Sequence, residues 1–178
     1  MYHKHIIAAA VALSAIASPA IARDKKDAAP IAIPAPPAGK GQIVFYRPGG
    51  MGFAMGCSVN ENGQKVSSLG AGKYFIMVAD PGRHEFSVKS EAKDRLALEV
   101  EPDETQYASC KIKMGLMVGR PDIRPATEAE FRGHQGLKMV DAEDMGPGLG
   151  ALRPEQVAAA LGGAPAVASA EAPAAAQQ

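Results

Sequence analysis

Apolar and polar residues alternate along most of the chain between residues 42 and 125, which is the period of a strand with one buried face. The pattern predicts strands over residues 42–47, 57–69 (a hairpin), 73–79, 83–90, 95–101 and 105–114, with a short edge segment over "RPDIRP". Turn residues bound these segments, and no helical period intervenes. The fold class they predict is all-β: a small immunoglobulin-like antiparallel sandwich of about seven strands.

Three local patterns refine this prediction. Asn62-Gly63 fits a two-residue hairpin turn, which pairs Val59 with Val66 and Cys57 with Ser68. The segment "KYFIMVA" (73–79) is apolar on both faces, as in a strand covered on both sides. "TEAEF" predicts a helical turn capped by Thr127.

The first 22 residues have the pattern of a signal peptide. A short segment carrying Lys4 precedes an apolar core, and Ala20 and Ala22 occupy the small-residue positions of a cleavage site before Arg23. The alternative is a retained anchor helix, which Pro19 and the following "RDKKD" disfavour. No other segment is long and apolar enough to span a membrane. We therefore expect an exported protein, periplasmic or secreted, with no transmembrane segment in the mature chain and no lipid-site cysteine.

The remaining composition divides the chain. Residues 23–40 are dense in proline and alanine and predict an extended linker, and residues 41–135 hold the sandwich. Residues 136–178 predict a low-complexity, disordered tail, in which "RPEQVAAALGG" favours a short helix with Pro154 in its first turn and Gly162 at its end.

The charges are balanced, at 19 basic and 19 acidic side chains. Removing Lys4 with the signal peptide leaves 18 against 19, a net charge of −1. This balance gives no electrostatic reason to expect a nucleic acid or an anionic lipid surface as a partner.

The two cysteines are expected to face the core. Cys57 lies on the same strand face as Val59, and Cys110 on the same face as Ile112. In an oxidising compartment such a pair favours a disulfide, which would stabilise a small sandwich by about 4 kcal/mol in the chain-entropy model. Two buried free thiols are the alternative.

Catalytic motifs are absent from the sequence. The mature chain has two histidines: His84, expected to be buried against a backbone partner, and His134 in a surface loop. No His-x-x-x-His, Cys-x-x-Cys or Gly-x-Ser-x-Gly pattern occurs, and the glycines of "RPGGMGFAMGC" lead into a strand without the lysine of a phosphate loop. We predict no enzyme activity, no metal site and no cofactor.

Two segments rich in methionine and glycine flank the cysteines, "GGMGFAMG" before Cys57 and "MGLMVG" after Cys110. A disulfide would make these segments neighbours, so Met51, Phe53, Met55 and Met117 are candidates for an adaptable apolar patch that binds a partner. The alternative is that the methionines fill gaps at the end of a small core. A Cu(I) site is disfavoured, since no histidine or free thiol accompanies the thioethers.

The segments "GQIVFYRP", "NGQKVSSLGAGKYFIMVADPGRHEFSV", "LALEVEPDETQYASCKI" and "MGLMVGRP" together resemble the bacterial envelope family of domain of unknown function 2846. The resemblance spans about residues 40–125 and includes Arg47-Pro48, the Pro81–His84 turn and Tyr107. It implies an immunoglobulin-like sandwich in the cell envelope and implies no activity.

These observations lead to a functional expectation. We predict a non-enzymatic exported envelope protein that acts as a binding or interaction module, with an envelope protein as its partner. The alternative is a small-ligand or glycan-binding periplasmic domain, which the lack of tryptophan makes the weaker of the two.

Overall fold

The computed structural model describes residues 30–50, 55–89, 93–113, 119–147 and 150–162. Nine strands and two α-helices lie within these ranges. In chain order the elements are β1 (Gly41–Arg47), β2 (Cys57–Glu61), β3 (Gln64–Leu69), β4 (Lys73–Ala79), β5 (Gly82–Lys89), β6 (Lys93–Val100), β7 (Thr105–Lys113), β8 (Arg120–Ala126), α1 (Glu128–Arg132), β9 (Lys138–Met139), a 3₁₀ turn (Ala142–Asp144) and α2 (Pro154–Leu161).

The strands form two sheets packed face to face, which confirms the all-β sandwich. Sheet A has five strands in the order β8-β7-β1-β4-β9, and sheet B has four in the order β3-β2-β5-β6. Most neighbours are antiparallel, but β1 pairs with β7 in parallel and β4 with β9 in parallel. The chain forms β2 to β6 between β1 and β7, so no tight turn joins these two strands. A connection of this length permits parallel as well as antiparallel pairing.

The core between the sheets is aromatic at its centre. The Phe45 ring stacks on Phe75 at 4.9 Å and meets Phe86 edge-on at 4.9 Å. The three rings come from β1, β4 and β5, so they join both sheets in one apolar cluster. Leu96, Leu98 and Val100 of β6 face this core, as their alternation predicted.

The β2–β3 hairpin turns at Asn62-Gly63 as predicted, and both residues have positive φ (48° and 87°). Its register is one residue different from the prediction, since Val59 lies opposite Ser67 and Cys57 opposite Leu69. A bulge between Val59 and Asn60 causes the shift. With the bulge, Leu69 replaces Ser68 opposite Cys57 and is fully buried.

The outer face of sheet A is covered by other parts of the chain, and we call it the covered face. Its side chains from β1, β4 and β7 form a second apolar cluster around Phe131 of α1, which is 0% exposed. Phe131 meets the rings of Tyr46 at 5.3 Å, Tyr107 at 5.4 Å and Tyr74 at 5.8 Å. The two apolar faces predicted for β4 are therefore both buried.

Thr127 caps α1 as predicted. The Glu130 backbone N–H donates to Thr127 Oγ1 at 3.1 Å, and the Thr127 N–H donates to Glu130 Oε2 at 2.8 Å. This reciprocal pair is a capping box, which fixes the start of a helix too short to be stable alone. The cap holds Phe131 over the tyrosines.

The N-terminal segment is not only a linker. Ile31 and Ile33 pack against the covered face, and the Gln42 side-chain amide donates to the Pro34 carbonyl at 2.6 Å. Prediction from composition failed here because the prolines obscure the alternation of the two isoleucines. The described part of the predicted linker, residues 30–40, lies on the domain.

The predicted tail also packs on the domain, up to Gly162. Residues 138–147 and 150–152, which we call the strap, run along the edges of both sheets. The Gly146 N–H donates to the Val66 carbonyl on β3, and the Val78 N–H of β4 donates to the Gly150 carbonyl, each at 2.8 Å. The predicted helix forms as α2, with Val157 buried against the covered face. Residues 163–178, where we predicted disorder, lie outside the described residues.

The outer face of sheet B, which we call the bare face, differs. Its strands present Ser87, Arg95, Ala97 and Glu99 outward; Ser87 is half-buried and the other three residues are exposed. The polar alternation of β5 and β6 therefore marks a face open to solvent.

Candidate functional site

A disulfide joins the two sheets at one end of the sandwich, which we call the disulfide end. Cys57 begins β2 in sheet B, and Cys110 lies in β7 of sheet A. Their Cα atoms are 6.5 Å apart, and both residues are buried. The disulfide predicted from strand alternation is confirmed.

Met55 and Gly119, which lie in the described parts of the two Met/Gly segments, are close together at this end. A Cβ placed on Gly119 would lie 2.8 Å from Met55 Sδ and 2.6 Å from Ile112 Cγ2, so the Met55 thioether already occupies the space beside Gly119. Of the predicted patch, only Met55 is within the described residues, and it is half-buried. Met51, Phe53 and Met117 lie outside them, so the patch stays a hypothesis.

A cleft of about 250 Å³ opens at the same end. It is lined by Arg47, Pro48, Gly49, Lys111, Ile112 and His134. These residues come from the ends of β1 and β7 and from the loop after α1. We call this the basic cleft, because its lining residues include Arg47 and Lys111 and no Asp or Glu.

Arg47 is the buried member of the basic cleft. The parallel register pairs Tyr46 with Ser109, which places Arg47 level with Cys110 beside the disulfide. Arg47 is 2% exposed, and this burial lowers the pKa of its guanidinium below the usual value. Its carbonyl accepts from the Gly72 N–H at 3.0 Å, which fixes the end of β1.

Several neighbouring cations are already engaged with carboxylates. Lys73 lies directly opposite Arg47, and its ammonium bonds Asp141 at 2.9 Å. Lys113 pairs with Asp122, also at 2.9 Å. The exposed Lys111 lowers the pKa of Glu130, although the main cause of that shift is the backbone hydrogen bond from Thr127. Arg47 and Lys111 are the arginine and lysine residues that line the basic cleft.

A second, more apolar cleft of about 180 Å³ adjoins the first at His134. Its walls include Pro30, Ile31 and Phe131, so the N-terminal segment and α1 form it together. The His134 ring lies 5.6 Å from Tyr46, the residue before Arg47. His134 therefore separates a basic cleft from an apolar one.

His84 lies elsewhere, near the start of β5; it has the backbone partner that was predicted, but it is half-buried rather than buried. Its Nε2 bonds the Asp80 carbonyl at 2.8 Å, and its ring stacks on Phe86. Sequence reasoning missed the second partner, Glu61, whose Oε1 lies 2.5 Å from Nδ1. Burial lowers the pKa of His84, but the bonds to Glu61 and to Asp80 outweigh it, and the net shift is upward. Because both ring nitrogens are engaged, His84 is placed to hold structure.

Within the described residues, no three His, Cys, Asp or Glu side chains are grouped so that they could hold a metal ion. None of the helices in the described ranges has the length and apolar character needed to cross a membrane.

The family comparison bears on the strands that carry this site. Residues 37–120 match the family model described as protein of unknown function (DUF2846). The match covers 84 of the 178 residues of the chain. The matched part holds β1 to β7 and both cysteines, and it ends at the first residue of β8. The α1 helix, the strap and α2 are therefore additions to the DUF2846 match in this chain. Neither a curated protein nor a solved structure matches the chain.

Sequence reasoning found the disulfide but not the basic cleft. Arg47-Pro48 was noted only as part of the family pattern, and His134 only as a loop residue. Lys111 alternates with apolar neighbours as any solvent-facing strand residue does. The parallel pairing of β1 with β7 brings the ends of these two strands together, and the loop after α1 adds His134. No local pattern predicts either arrangement.

Proposed function

We propose that this protein is a non-enzymatic, exported component of the bacterial cell envelope that contacts another envelope protein through its disulfide end. The observation that carries the proposal is the packing of Met55 against Gly119, next to Ile112 of the basic cleft. It brings the ends of both Met/Gly segments to one place, where flexible thioethers adapt to a partner surface.

Two further features support the proposal. The Cys57–Cys110 disulfide suits an oxidising compartment, as expected of an exported protein. The covered face is occupied by the chain's own segments, so it is not available to a partner. The disulfide end is the region where a cleft and an adaptable apolar segment occur together.

The second candidate is a small-ligand or glycan-binding periplasmic domain. The basic cleft favours it, because concave sites with a few converging polar groups are typical of ligand binding. Both candidates place the functional surface at the disulfide end.

Site-specific photo-cross-linking in the natural host tests the proposed surface. Gly49 lines the basic cleft, and a Cβ there meets nothing within 4 Å, so a photoreactive residue fits without disturbing the fold. Ala97 on the bare face is exposed and is the matched control position. We expect a discrete cross-linked protein from position 49 and none from position 97. A reversed pattern would place the interface on the bare face, and no adduct from either position would contradict a protein partner.

Export is tested separately by sequencing the N-terminus of the protein isolated from its host. We expect a chain that begins at Arg23 or within a few residues of it. An intact Met1 in the soluble cytoplasmic fraction would contradict the proposed location.

A further inference from the structure

The outer edges of the two sheets differ in what covers them. On β3 the strap covers the edge, since the Gly146 N–H donates to its backbone. On β8 the Ile123 N–H donates to Asp94 Oδ2 at 2.8 Å, and Pro121 and Pro125 on either side of it have no N–H to offer. The β9 strand is two residues long. The remaining edge is β6, which is eight residues long and pairs with β5 alone among the described strands.

Alternate residues of β6 direct their backbone groups out of the sheet at this edge. On β5 the Glu85 carbonyl accepts from the Asn62 N–H at 3.4 Å, so the backbone groups of Glu85 point toward β2 and away from β6. The residue opposite Glu85 is Ala97, whose N–H and C=O must therefore point outward. The Glu99 carbonyl, two residues further on, accepts from the Gln106 side chain of β7, which agrees with this direction.

The exposed side chains at this edge are complementary to themselves. Arg95 and Glu99 lie two residues before and two residues after Ala97, and all three are exposed. We propose that two copies of this chain associate through β6, paired antiparallel around a two-fold axis at Ala97. Arg95 of each copy then lies opposite Glu99 of the other, and two four-stranded sheets become one sheet of eight strands.

The two charges have no partner of opposite sign in the described part of their own chain. Neither Arg95 nor Glu99 forms an ion pair there. Arg83, which lies opposite Glu99 on β5, pairs with Glu85 at 3.2 Å instead. Charged residues on an edge strand usually prevent the addition of another strand. Here the antiparallel register brings both charges opposite their complements, so they favour a second copy of the same edge.

The other face of β6 also suits this pairing. Leu96 and Leu98 face the core and retain 6% and 9% exposure at the edge. In the proposed register Leu96 of one copy lies opposite Leu98 of the other, which buries apolar surface on both.

No described strand lies beside the β6 edge. The β8 strand contacts both β5 and β6, so it packs against the inner face of sheet B and not alongside β6. The Gln106 side chain reaches the edge at Glu99, but a carbonyl oxygen has two lone pairs and can accept a second bond from the added strand.

This inference goes beyond the proposed function, since it concerns self-association through sheet B and not the clefts at the disulfide end. The two fail separately. A monomeric protein that is cross-linked to a foreign protein from position 49 would overturn this inference alone. An adduct of two copies from position 97 has twice the mass of the chain, so it is distinct from an adduct with a foreign protein.

Sedimentation equilibrium of the mature chain tests the association. We expect the mass to rise from one copy toward two between about 1 µM and about 1 mM protein, the range of weak to moderate affinity. It should stop at two, because a two-fold interface uses the same edge of both copies and closes on itself. A constant monomer mass over this range, or growth beyond two copies, would overturn the proposal.

Charge reversals test the register. Arg95→Glu and Glu99→Arg each place like charges opposite each other twice, so each variant alone should associate at least about tenfold more weakly than the wild-type protein. An equimolar mixture of the two variants restores every opposite pair and should form mixed dimers. The double variant Arg95→Glu with Glu99→Arg should also associate. Single variants that associate like the wild-type protein, or a mixture that stays monomeric, would overturn the register.

Lys65→Glu is the matched control, because it makes the same change of net charge at an exposed position on the opposite edge of sheet B. It should change the association less than about twofold. A loss as large as that of Arg95→Glu would mean that association follows net charge and would overturn the site. In dilute solution, where the chain is monomeric, all of these variants should unfold at the same denaturant concentration as the wild-type protein.

Ala97→Pro tests the backbone pairing without a change of charge. The Ala97 N–H points out of the sheet, so proline removes the central bonds between the two copies and no bond to β5. We expect it to abolish association, whereas Ala97→Ser, which keeps the N–H, should retain it. A folded Ala97→Pro variant that still forms dimers would overturn the proposal.

Discussion

The outer faces of the two sheets differ in burial: other segments of the chain cover one, and the other is open to solvent. The covered face of sheet A carries Tyr46, Tyr74 and Tyr107, all buried under Phe131 and other segments of the chain. The bare face of sheet B carries serines and charged residues that need no cover. A sheet with two apolar faces requires a third layer, whereas a sheet that alternates apolar and polar residues can end at solvent.

The third layer also differs from the rest of the domain in its relation to the family match. The third layer lies largely outside the matched DUF2846 region, since α1, the strap and α2 follow residue 120. This layer ends at the loop of His134, where both clefts open. At the disulfide end, the loop after α1 in the third layer therefore borders both clefts.

Loss of the disulfide should have the largest effect, because the bond cross-links β2 of one sheet to β7 of the other. Closing a loop with a sequence separation of 53 residues is worth about 4 kcal/mol in the chain-entropy model. We expect Cys57→Ser with Cys110→Ser to lower the free energy of unfolding by a few kcal/mol in denaturant titrations. It should also increase protease cutting beside Met55. An unchanged unfolding curve would show that packing alone holds the sheets together.

Phe131→Ala tests the covered face. The ring is fully buried, so its removal leaves a cavity beneath α1 and should cost about 3 kcal/mol. Arg95→Ala on the bare face is the control and should change stability by less than about 0.5 kcal/mol. Similar losses in the two variants, measured by denaturant unfolding, would contradict the contrast between the faces.

Gly146→Ala tests the strap. A Cβ at this position would overlap the Lys65 carbonyl, so the strap must move away from β3. We expect a cost of about 2 kcal/mol in the free energy of unfolding, as for other overpacked sites. Gly49→Ala, where the Cβ meets nothing, is the matched control and should be nearly neutral. Equal effects would mean that the strap does not contact β3 closely in solution.

Some of these features could be predicted from the sequence and others could not. The alternation in β5 and β6 predicted which side chains face the core, and the Asn62-Gly63 pair predicted the turn. The hairpin register was wrong by one residue because a bulge depends on which residues the other sheet can bury. The cover formed by Ile31, Ile33 and Val157 was missed because proline- and alanine-rich composition is also typical of unpacked chain. The predicted disulfide is confirmed. Strand alternation indicated that Cys57 and Cys110 face the core, whereas the 6.5 Å between their Cα atoms depends on how the two sheets pack. The basic cleft depends on long-range strand pairing and could not be predicted.

A smaller effect is expected at His84 in sheet B. Its pKa is raised in the folded protein, so its charged form contributes stability that is fully present below the unfolded pKa of about 6.5. That contribution is lost as the pH rises through the folded pKa. Glu61→Gln removes the charged partner and should remove most of this dependence, on the order of 1 kcal/mol between pH 5 and pH 8. The same slope in the variant and in the wild-type protein, measured by denaturant unfolding at both pH values, would contradict the role of the Glu61 bond.

The account rests on a covered face that the chain closes itself, and ultraviolet titration of the tyrosines tests this most directly. Burial is the first cause that raises the pKa of Tyr46, Tyr74 and Tyr107, and these are three of the four tyrosines in the chain. We predict that most of the phenol absorbance in the native protein titrates above the ordinary pKa of about 10, with loss of stability as the pH rises beyond it. In denaturant the same phenols should titrate at the ordinary value. A native titration in which all phenols ionise together near pH 10 would show that the face is open.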